Sequence, residues 1–212
     1  MKLNTITRTG SVAASMALLL GLGLSACGSE DTASGSEGGS KTSETTEAAP
    51  ETEAAGAQTF GEGCKLIPAD GAGSFNGMAT APVASAASAN PLLKTLVTAV
   101  GEAELVDTLN SADALTVFAP TDDAFKKIPK ADLDAVLADK ALLTKVLTHH
   151  VVAGQLSPDE VAGEHETLAG DMITVEGSDE EFTVGKENAK VLCGNIPTAN
   201  ATVYVVDTVL MP

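Results

Sequence analysis

The stretch Thr116-Val-Phe-Ala-Pro-Thr-Asp-Asp-Ala-Phe125 joins a short apolar run to the beginning of a helix. The run contains β-branched and aromatic residues and ends at Pro120, so the pattern predicts a strand. Thr121 follows as a helix N-cap, and Asp122 and Asp123 fall in the first helical turn, where carboxylates favour the helix dipole. The stretch therefore predicts a strand that leads directly into a helix.

Helical patterns lie on both sides of this stretch. Residues 82–89 predict a short helix, and Asn90 with Pro91 predicts the N-cap and first position of another. Residues 131–150 also have a helical period, with a break at Asp139. Seven of their apolar side chains are predicted to face inward: Leu133, Val136, Leu137, Leu142, Leu143, Val146 and Leu147.

After Gly154 the pattern changes to short alternating runs, which predict strands. These runs are HETLA at 165–169, MITVEG at 172–177, EFTVG at 181–185, AKVLC at 189–193 and TVYVVDTVLM at 202–211. Helices in the first half and strands in the second predict one α+β domain, residues 60–212, with a largely antiparallel sheet. Roughly 150 residues are enough for one domain with its own core.

The first 27 residues have the pattern of an export signal. Lys2 and Arg8 form a positive region, and the apolar run at 12–24 is shorter than the ~20 residues of an ordinary membrane span. The run ends in Leu24-Ser-Ala-Cys27, which resembles the bacterial lipobox. This resemblance predicts that Cys27 is acylated and becomes the first residue after cleavage, since two or more acyl chains anchor a protein stably. The alternative is an ordinary secretory signal with an incidental cysteine.

Residues 28–59 are acidic and rich in Ser, Thr, Gly and Ala, with no aromatic or β-branched apolar residue. Such a segment cannot bury enough surface to fold, and its charges repel one another, so it predicts a disordered tether. Tether and lipid together place the domain at the extracytoplasmic face of the cell membrane, with release to the exterior as an alternative.

The charge of the chain excludes several kinds of partner. The formal net charge is −17, and removing Lys2 and Arg8 with the signal makes it −19. So strong a negative balance argues against nucleic acid and against adsorption to an anionic surface. The chain has no Trp and one Tyr, so flat aromatic platforms for sugars or bases are scarce.

Two cysteines remain once Cys27 is assigned to lipid. In an oxidising exterior, Cys64 and Cys193 are expected to form a disulfide. The bridge would close a loop of about 130 residues, for which chain entropy gives ~4–5 kcal/mol of stabilisation. A thiolate nucleophile or a metal-binding pair is the alternative.

Three motifs, in this order, resemble those of the fasciclin (FAS1) domain family. They are TVFAPTDDAF at 116–125, LLTKVLTHHVVAGQL at 142–156 and ATVYVVDTVLMP at 201–212. Within that family, GEGC at 61–64, LVDTLN at 105–110 and CGNIPTAN at 193–200 resemble the surface lipoproteins and secreted antigens of mycobacteria. One departure is that His149-His150 stands where the family usually has Tyr-His.

The resemblance implies a β-sandwich or wedge with helices around its edge, a disulfide between Cys64 and Cys193, and a role in adhesion without catalysis. It also implies that the motif residues are structural. These residues are Thr116, Phe118, Ala119, Pro120, Thr121, Phe125, His149, His150 and Asp207.

The candidate reactive residues each have a structural alternative. Adjacent histidines point apart on a helix or strand, so a structural His150 is favoured over a metal site, and His165 could join either histidine only through the fold. Capping is favoured over an acid–base pair for Asp122 and Asp123, and a structural hydrogen bond over proton transfer for Asp207 in the final strand. Asn200-Ala-Thr matches an N-glycosylation sequon, but no function is inferred from the match. Neither a G-x-S-x-G elbow nor an H-E-x-x-H motif occurs in the sequence, and no metal or cofactor is expected.

These observations favour a monomeric, non-enzymatic surface module that binds a protein or glycan of the envelope, the matrix or a host. The second hypothesis is a carrier of an apolar ligand, a lipid or glycolipid, in a groove between helices and sheet. The third is an enzyme, which would need a polar cleft that brings a histidine and a carboxylate together.

Overall fold

The computed structural model describes residues 55–212, so Cys27, the export signal and residues 28–54 of the tether lie outside it. The described helices are α1 Phe75–Ala79, α2 Val83–Ala89, α3 Lys94–Glu102, α4 Val106–Ser111, α5 Asp122–Lys126, α6 Lys130–Ala138 and α7 Lys140–His149, after a 3₁₀ turn at Glu62–Leu66. The strands are β1 Leu115–Pro120, β2 Val151–Ala153, β3 Gly163–Glu166, β4 Met172–Ser178, β5 Glu181–Val184, β6 Ala189–Pro197 and β7 Ala201–Val206.

The seven strands form a sheet in the order β2-β1-β7-β6-β5-β4-β3. Strands β1 and β7 are parallel over six residues each, and the other described pairings are antiparallel. Val152, in the terminal strand β2, bridges to Thr167, which directly follows the other terminal strand, β3. The sheet therefore curls into a nearly closed wedge, and the predicted α+β class with mostly antiparallel strands is confirmed.

Two apolar clusters fill the molecule, one on each side of β1 and β7. Val117 and Val203 face the helices, whereas Phe118 and Tyr204 face the interior of the wedge. All residues of both strands are buried. Burial on both faces explains why these two strands read as unbroken apolar runs.

The helix predicted to begin at Asn90 and Pro91 begins instead at Lys94, so this prediction was wrong. Asn90 ends α2, and its Oδ1 accepts a hydrogen bond from the Leu92 N–H at 3.0 Å, which forms a local turn. The N-terminus of α3 is capped from elsewhere, because Asp122 Oδ1 accepts from the Thr95 N–H at 2.7 Å.

The other helix boundaries follow the sequence more closely. Thr121 caps α5, its Oγ1 accepting from the Ala124 N–H at 3.2 Å. The break at Asp139 also occurs, and Asp139 Oδ1 caps α7. Leu137 and Leu142 were predicted to face inward but are 38% and 37% exposed. Both flank Asp139, whose extended backbone prevents one helical stripe from continuing across the break.

Several strand boundaries also differ from the predicted runs. β3 ends at Glu166, so in the predicted run HETLA Thr167 forms only an isolated bridge, and Leu168 and Ala169 lie in a turn. The last strand ends at Val206, so Asp207, predicted within it, lies just beyond. Strand β2 was not predicted, because three residues are too few to show alternation.

The N-terminal segment of the described chain packs on β6. Cys64 and Cys193 are joined by a disulfide, with their Cα atoms 4.9 Å apart. Gly61 has a φ of +99°, and a Cβ there would collide with the Leu192 carbonyl. Phe60 exchanges two backbone hydrogen bonds with Gly194, at 2.9 and 3.3 Å. Glycine in the GEGC segment thus permits the close approach that the disulfide requires.

Residues 55–59, assigned from sequence to the tether, make contacts with the domain. The Ala55 N–H donates to Asn76 Oδ1 at 3.0 Å, and the Gln58 carbonyl accepts from Asn195 Nδ2 at 3.1 Å. In the part of the chain that the structure describes, no helix combines the length and apolar character needed to cross a bilayer.

Gly194→Ala is expected to destabilise the domain by about 1–3 kcal/mol, because the new Cβ would overlap the Phe60 ring in a packed core. Urea denaturation followed by circular dichroism measures the change. The matched control is Gly101→Ala in α3, where a Cβ meets nothing within 4 Å. There, helix propensity predicts a gain of roughly 0.5–1 kcal/mol. Equal effects at the two positions would contradict the packing of Phe60 on Gly194.

Asp122→Ala is expected to lower the free energy of unfolding by about 1 kcal/mol, since it removes the acceptor that caps α3. Its neighbour provides the control. Asp123 pairs with Lys126 at 2.7 Å, but both side chains are largely exposed, so Asp123→Ala should cost much less than Asp122→Ala. The same denaturation measurement distinguishes them, and a larger loss for Asp123→Ala would refute the cap.

Candidate functional site

The three fasciclin-like motifs meet in neighbouring strands at the centre of the fold. β1 carries the first motif and lies between β2, which belongs to the second, and β7, which belongs to the third. The Phe118 N–H donates to the His150 carbonyl at 2.9 Å, and the Thr121 N–H donates to the Val206 carbonyl at 3.1 Å. The motif residues therefore form one connected region, most of it buried.

Thr116 is fully buried and uses its hydroxyl twice. It donates to the Gly154 carbonyl at 2.7 Å and accepts from the Leu156 N–H at 2.9 Å. The Tyr204 hydroxyl donates to the Leu156 carbonyl at 2.9 Å, and burial raises the pKa of Tyr204. These contacts hold the loop after β2 against the strands.

The remaining apolar motif residues contribute to the core. Phe118 packs against Tyr204 with ring centroids 5.8 Å apart. Ala119 and Phe125 belong to the cluster under the helices, and Pro120 is fully buried at the end of β1. None of these side chains offers a reactive group.

His150 is a buried, neutral hydrogen-bonding bridge. Its Nδ1 donates to the Val146 carbonyl at 2.8 Å, and its Nε2 accepts from the Leu210 N–H at 2.9 Å. Burial, reinforced by the neighbouring His149, lowers the pKa of His150 to about 4, although the Val146 carbonyl opposes the shift. Protonation of Nε2 would place its N–H against the Leu210 N–H, which is unfavourable. The neutral ring therefore joins α7 to the C-terminal segment.

His149 points to a different partner. Its Nδ1 lies 2.7 Å from Asp171 Oδ1, the oxygen that also accepts from the Thr167 hydroxyl. Burial raises the pKa of Asp171, but the hydrogen bonds from Thr167 and His149 outweigh it, so the pKa is lowered overall. The contact ties the end of α7 to the turn between β3 and β4. Neither Asp171 nor Thr167 was identified from the sequence, because the fold alone brings them to His149.

The two histidine rings are 6.5 Å apart and nearly perpendicular. They do not converge on a common point. Among residues 55–212, no group of three or more His, Cys, Asp or Glu side chains has the geometry to hold a metal ion.

Asp207 lies at the end of β7 and is partly exposed. Its Oδ2 accepts from Lys127 Nζ at 2.9 Å, and its Oδ1 accepts from the Lys190 N–H at 2.8 Å and from the Thr208 hydroxyl at 3.0 Å. Burial raises the pKa of Asp207, but these donors outweigh it and lower the pKa overall. The carboxylate thus connects α5, β6 and β7.

Asn200 is a structural residue that the sequence analysis missed. Its Nδ2 donates to the carbonyls of Leu109 and Ala112, each at 2.8 Å, and its Oδ1 caps α2 by accepting from the Val83 N–H at 2.9 Å. A glycan on this nitrogen would replace one of its two N–H donors and so remove one of these two hydrogen bonds. The sequence marks Asn200 only as part of an N-glycosylation sequon, and a sequon does not indicate a structural role.

An apolar cavity of about 60 Å³ lies between α2, α3, α4, α7 and β1. A cavity that binds benzene measures about 150 Å³, so this one is far too small for an acyl chain. The hypothesis of a lipid carrier therefore gains no support from it.

The free energy of unfolding is expected to fall by roughly 2 kcal/mol between pH 7 and pH 5 on account of His150. Below pH 6.5 the unfolded chain protonates this histidine, whereas the folded chain keeps it neutral down to about pH 4. Stability is therefore lost as the pH falls through that window. Urea titrations at both pH values measure the loss.

The matched variant is His150→Gln, which retains an acceptor for the Leu210 N–H. It should have lower stability at pH 7 but lack this part of the pH dependence. The same pH dependence in variant and wild type would show that His150 is not held neutral. NMR provides a second readout, because the His150 ring should not titrate above pH 5.

Comparisons with known proteins show which family the chain belongs to. The Fasciclin domain family matches residues 91–212. Cell surface glycolipoprotein MPB83 of Mycobacterium bovis is 48% identical over 164 residues, covering 74% of this chain and 73% of that protein. Immunogenic protein MPB70 of the same species is 49% identical over 160 residues, covering 72% of this chain and 81% of that protein.

Among solved structures, a FAS1 domain pair from the insect cell adhesion molecule Fasciclin I aligns with a TM-score of 0.47 and 20% identity. The alignment covers 56% of this chain and 45% of that one. The family match spans more than half of the chain, and the mycobacterial relatives align over most of their own length. The chain belongs to the Fasciclin domain family.

Proposed function

We propose that this protein is an exported lipoprotein whose fasciclin domain acts at the outer face of the cell membrane as a non-enzymatic adhesion or interaction module. The observation that carries the proposal is the 48% identity to a protein named a cell surface glycolipoprotein, together with Leu24-Ser-Ala-Cys27 at the end of an export signal. In this proposal residues 1–27 are the signal, residues 28–59 the tether, whose last five residues contact the domain, and residues 60–212 the domain, which acts as a monomer on a protein or glycan partner.

The chemistry of the site supports a module without catalysis. The candidate acid–base groups are each used in a structural contact: His150 with Leu210, His149 with Asp171, and Asp207 with Lys127. A general acid or base needs a polar atom within reach of a substrate. Both ring nitrogens of His150 and Nδ1 of His149 contact protein groups instead. Partner binding is therefore assigned to the exposed surface of the domain.

Cys27→Ala is expected to abolish incorporation of labelled palmitate and to remove the protein from the membrane fraction, because Cys27 is the proposed acylation site. Globomycin, which blocks cleavage at a lipobox, should leave the wild-type chain unprocessed. The double variant Cys64→Ser/Cys193→Ser is the control, since it retains only Cys27 and should still take up the label. Palmitate on the Cys27→Ala chain would refute the anchor.

The interaction role is tested on cells that display the protein. Cells with the wild-type chain should bind envelope or matrix extracts, and added Cys27→Ala chain should compete with the displayed protein in a dose-dependent way. The Cys27→Ala chain has no lipid, so it can compete only if the folded domain itself binds the partner. Binding that persists undiminished with excess competitor would contradict the proposal.

A further inference from the structure

The tether continues into the domain through residues 55–63, a segment that is only lightly held. Phe60 is the one buried residue between positions 55 and 63. The Ala55 N–H donates to Asn76 Oδ1, and the Gln58 carbonyl accepts from Asn195 Nδ2, but both hydrogen bonds lie at the surface. The attachment of this segment therefore depends chiefly on Phe60.

Phe60 fastens the segment to the interior of the wedge. Its ring packs against Gly194, and its centroid lies 5.5 Å from that of Phe182 and 6.2 Å from that of Tyr204. Its backbone exchanges two hydrogen bonds with Gly194. A segment with a single buried anchor opens locally at a lower free energy than the domain as a whole.

The disulfide follows this anchor along the chain and determines where a pull on the tether is resisted. Cys64 is bonded to Cys193, which is buried within β6. β6 pairs with β7, and β7 pairs with β1 over six residues. Because a covalent bond holds Cys64 in place, a pull that reaches Cys64 passes to the central strands of the sheet.

Without this bond the same pull would meet weakly held elements one after another. The 3₁₀ turn Glu62–Leu66 has no buried side chain. Beyond it come the buried Ile67 and the five-residue helix α1, in which only Met78 is buried. Resistance to force depends on the rate of unfolding, and short elements that detach in sequence unfold quickly.

We propose that residues 55–63 form a strap that detaches when the tether is pulled, and that the disulfide stops the detachment at Cys64 and transfers the load to β6. The inference rests on the proposed function, in which the lipid holds one end of the chain and a partner holds the domain. Detachment lengthens the tether by about 30 Å, the span of nine extended residues. The domain behind the disulfide stays folded under that tension.

Single-molecule force spectroscopy on the Cys27→Ala chain tests the strap. One handle is attached to the N-terminus, and the other to an azide-bearing lysine analogue in place of the exposed Lys145 on α7. The chain with its disulfide should show a first, reversible step of about 30 Å at a lower force than any later step. A single step in which strap and domain open together would refute the inference.

Two truncations of apolar side chains form the first matched pair. Phe60→Ala should lower the force of the first step about twofold or more and leave the later steps unchanged, because it removes the buried anchor of the strap. Leu66→Ala lies beyond the disulfide at a side chain that is 63% exposed, so it should change neither step. An unchanged first step in Phe60→Ala would overturn the inference.

The second pair tests the stop. In Cys64→Ser/Cys193→Ser the first step should become about twice as long or more, because detachment continues into the turn and α1. Leu143→Ala destabilises the core but keeps the disulfide, so the length of its first step should equal that of the parent chain. A first step of unchanged length in the double variant would show that the disulfide is not the stop.

The combined outcomes separate this inference from the proposed function. If displayed cells bind a partner but the first force step is absent, the surface role stands and the strap inference fails. If the first step is present and ends at the disulfide but displayed cells bind no partner, the surface role fails instead.

Discussion

The parallel pairing of β1 with β7 is the constraint on which the rest of the structure depends. The two strands are aligned from Leu115 with Ala201 to Pro120 with Val206, and both are buried on both faces. One face holds the helices and the other closes the wedge, so the two cores share this pair of strands. Parallel neighbours need a long connection, and here it contains three helices and most of the sheet.

Buried polar side chains then join the elements that this pair brings together. Thr116 holds the loop after β2, His150 holds the C-terminal segment at Leu210, and Asn200 holds α2 and α4. Each has its hydrogen-bonding groups satisfied, which is the condition under which a buried polar group stabilises a fold rather than destabilising it. The family motifs therefore form the internal framework of the domain.

The disulfide has a related consequence for the surface. It holds the 3₁₀ turn against β6 near Leu192, and Phe60 pairs with Gly194 beside it. The N-terminal segment thus occupies the edge of β6 at the place where β5 turns away. A surface groove lies between the 3₁₀ turn and β5 at this place.

Patterns that span a few residues were predictable from the sequence, because local physical chemistry governs them. The strand ending at Pro120, the cap at Thr121 and the break at Asp139 are of this kind. The order of the strands and the contacts of distant residues were not predictable from such patterns. Asp122 caps α3 rather than its own helix, Asn200 caps α2 from 117 residues away, and Asp171 meets His149 across a turn. The packing of whole helices and strands decides which of these residues meet, and the spacing of residues in the sequence does not indicate that packing.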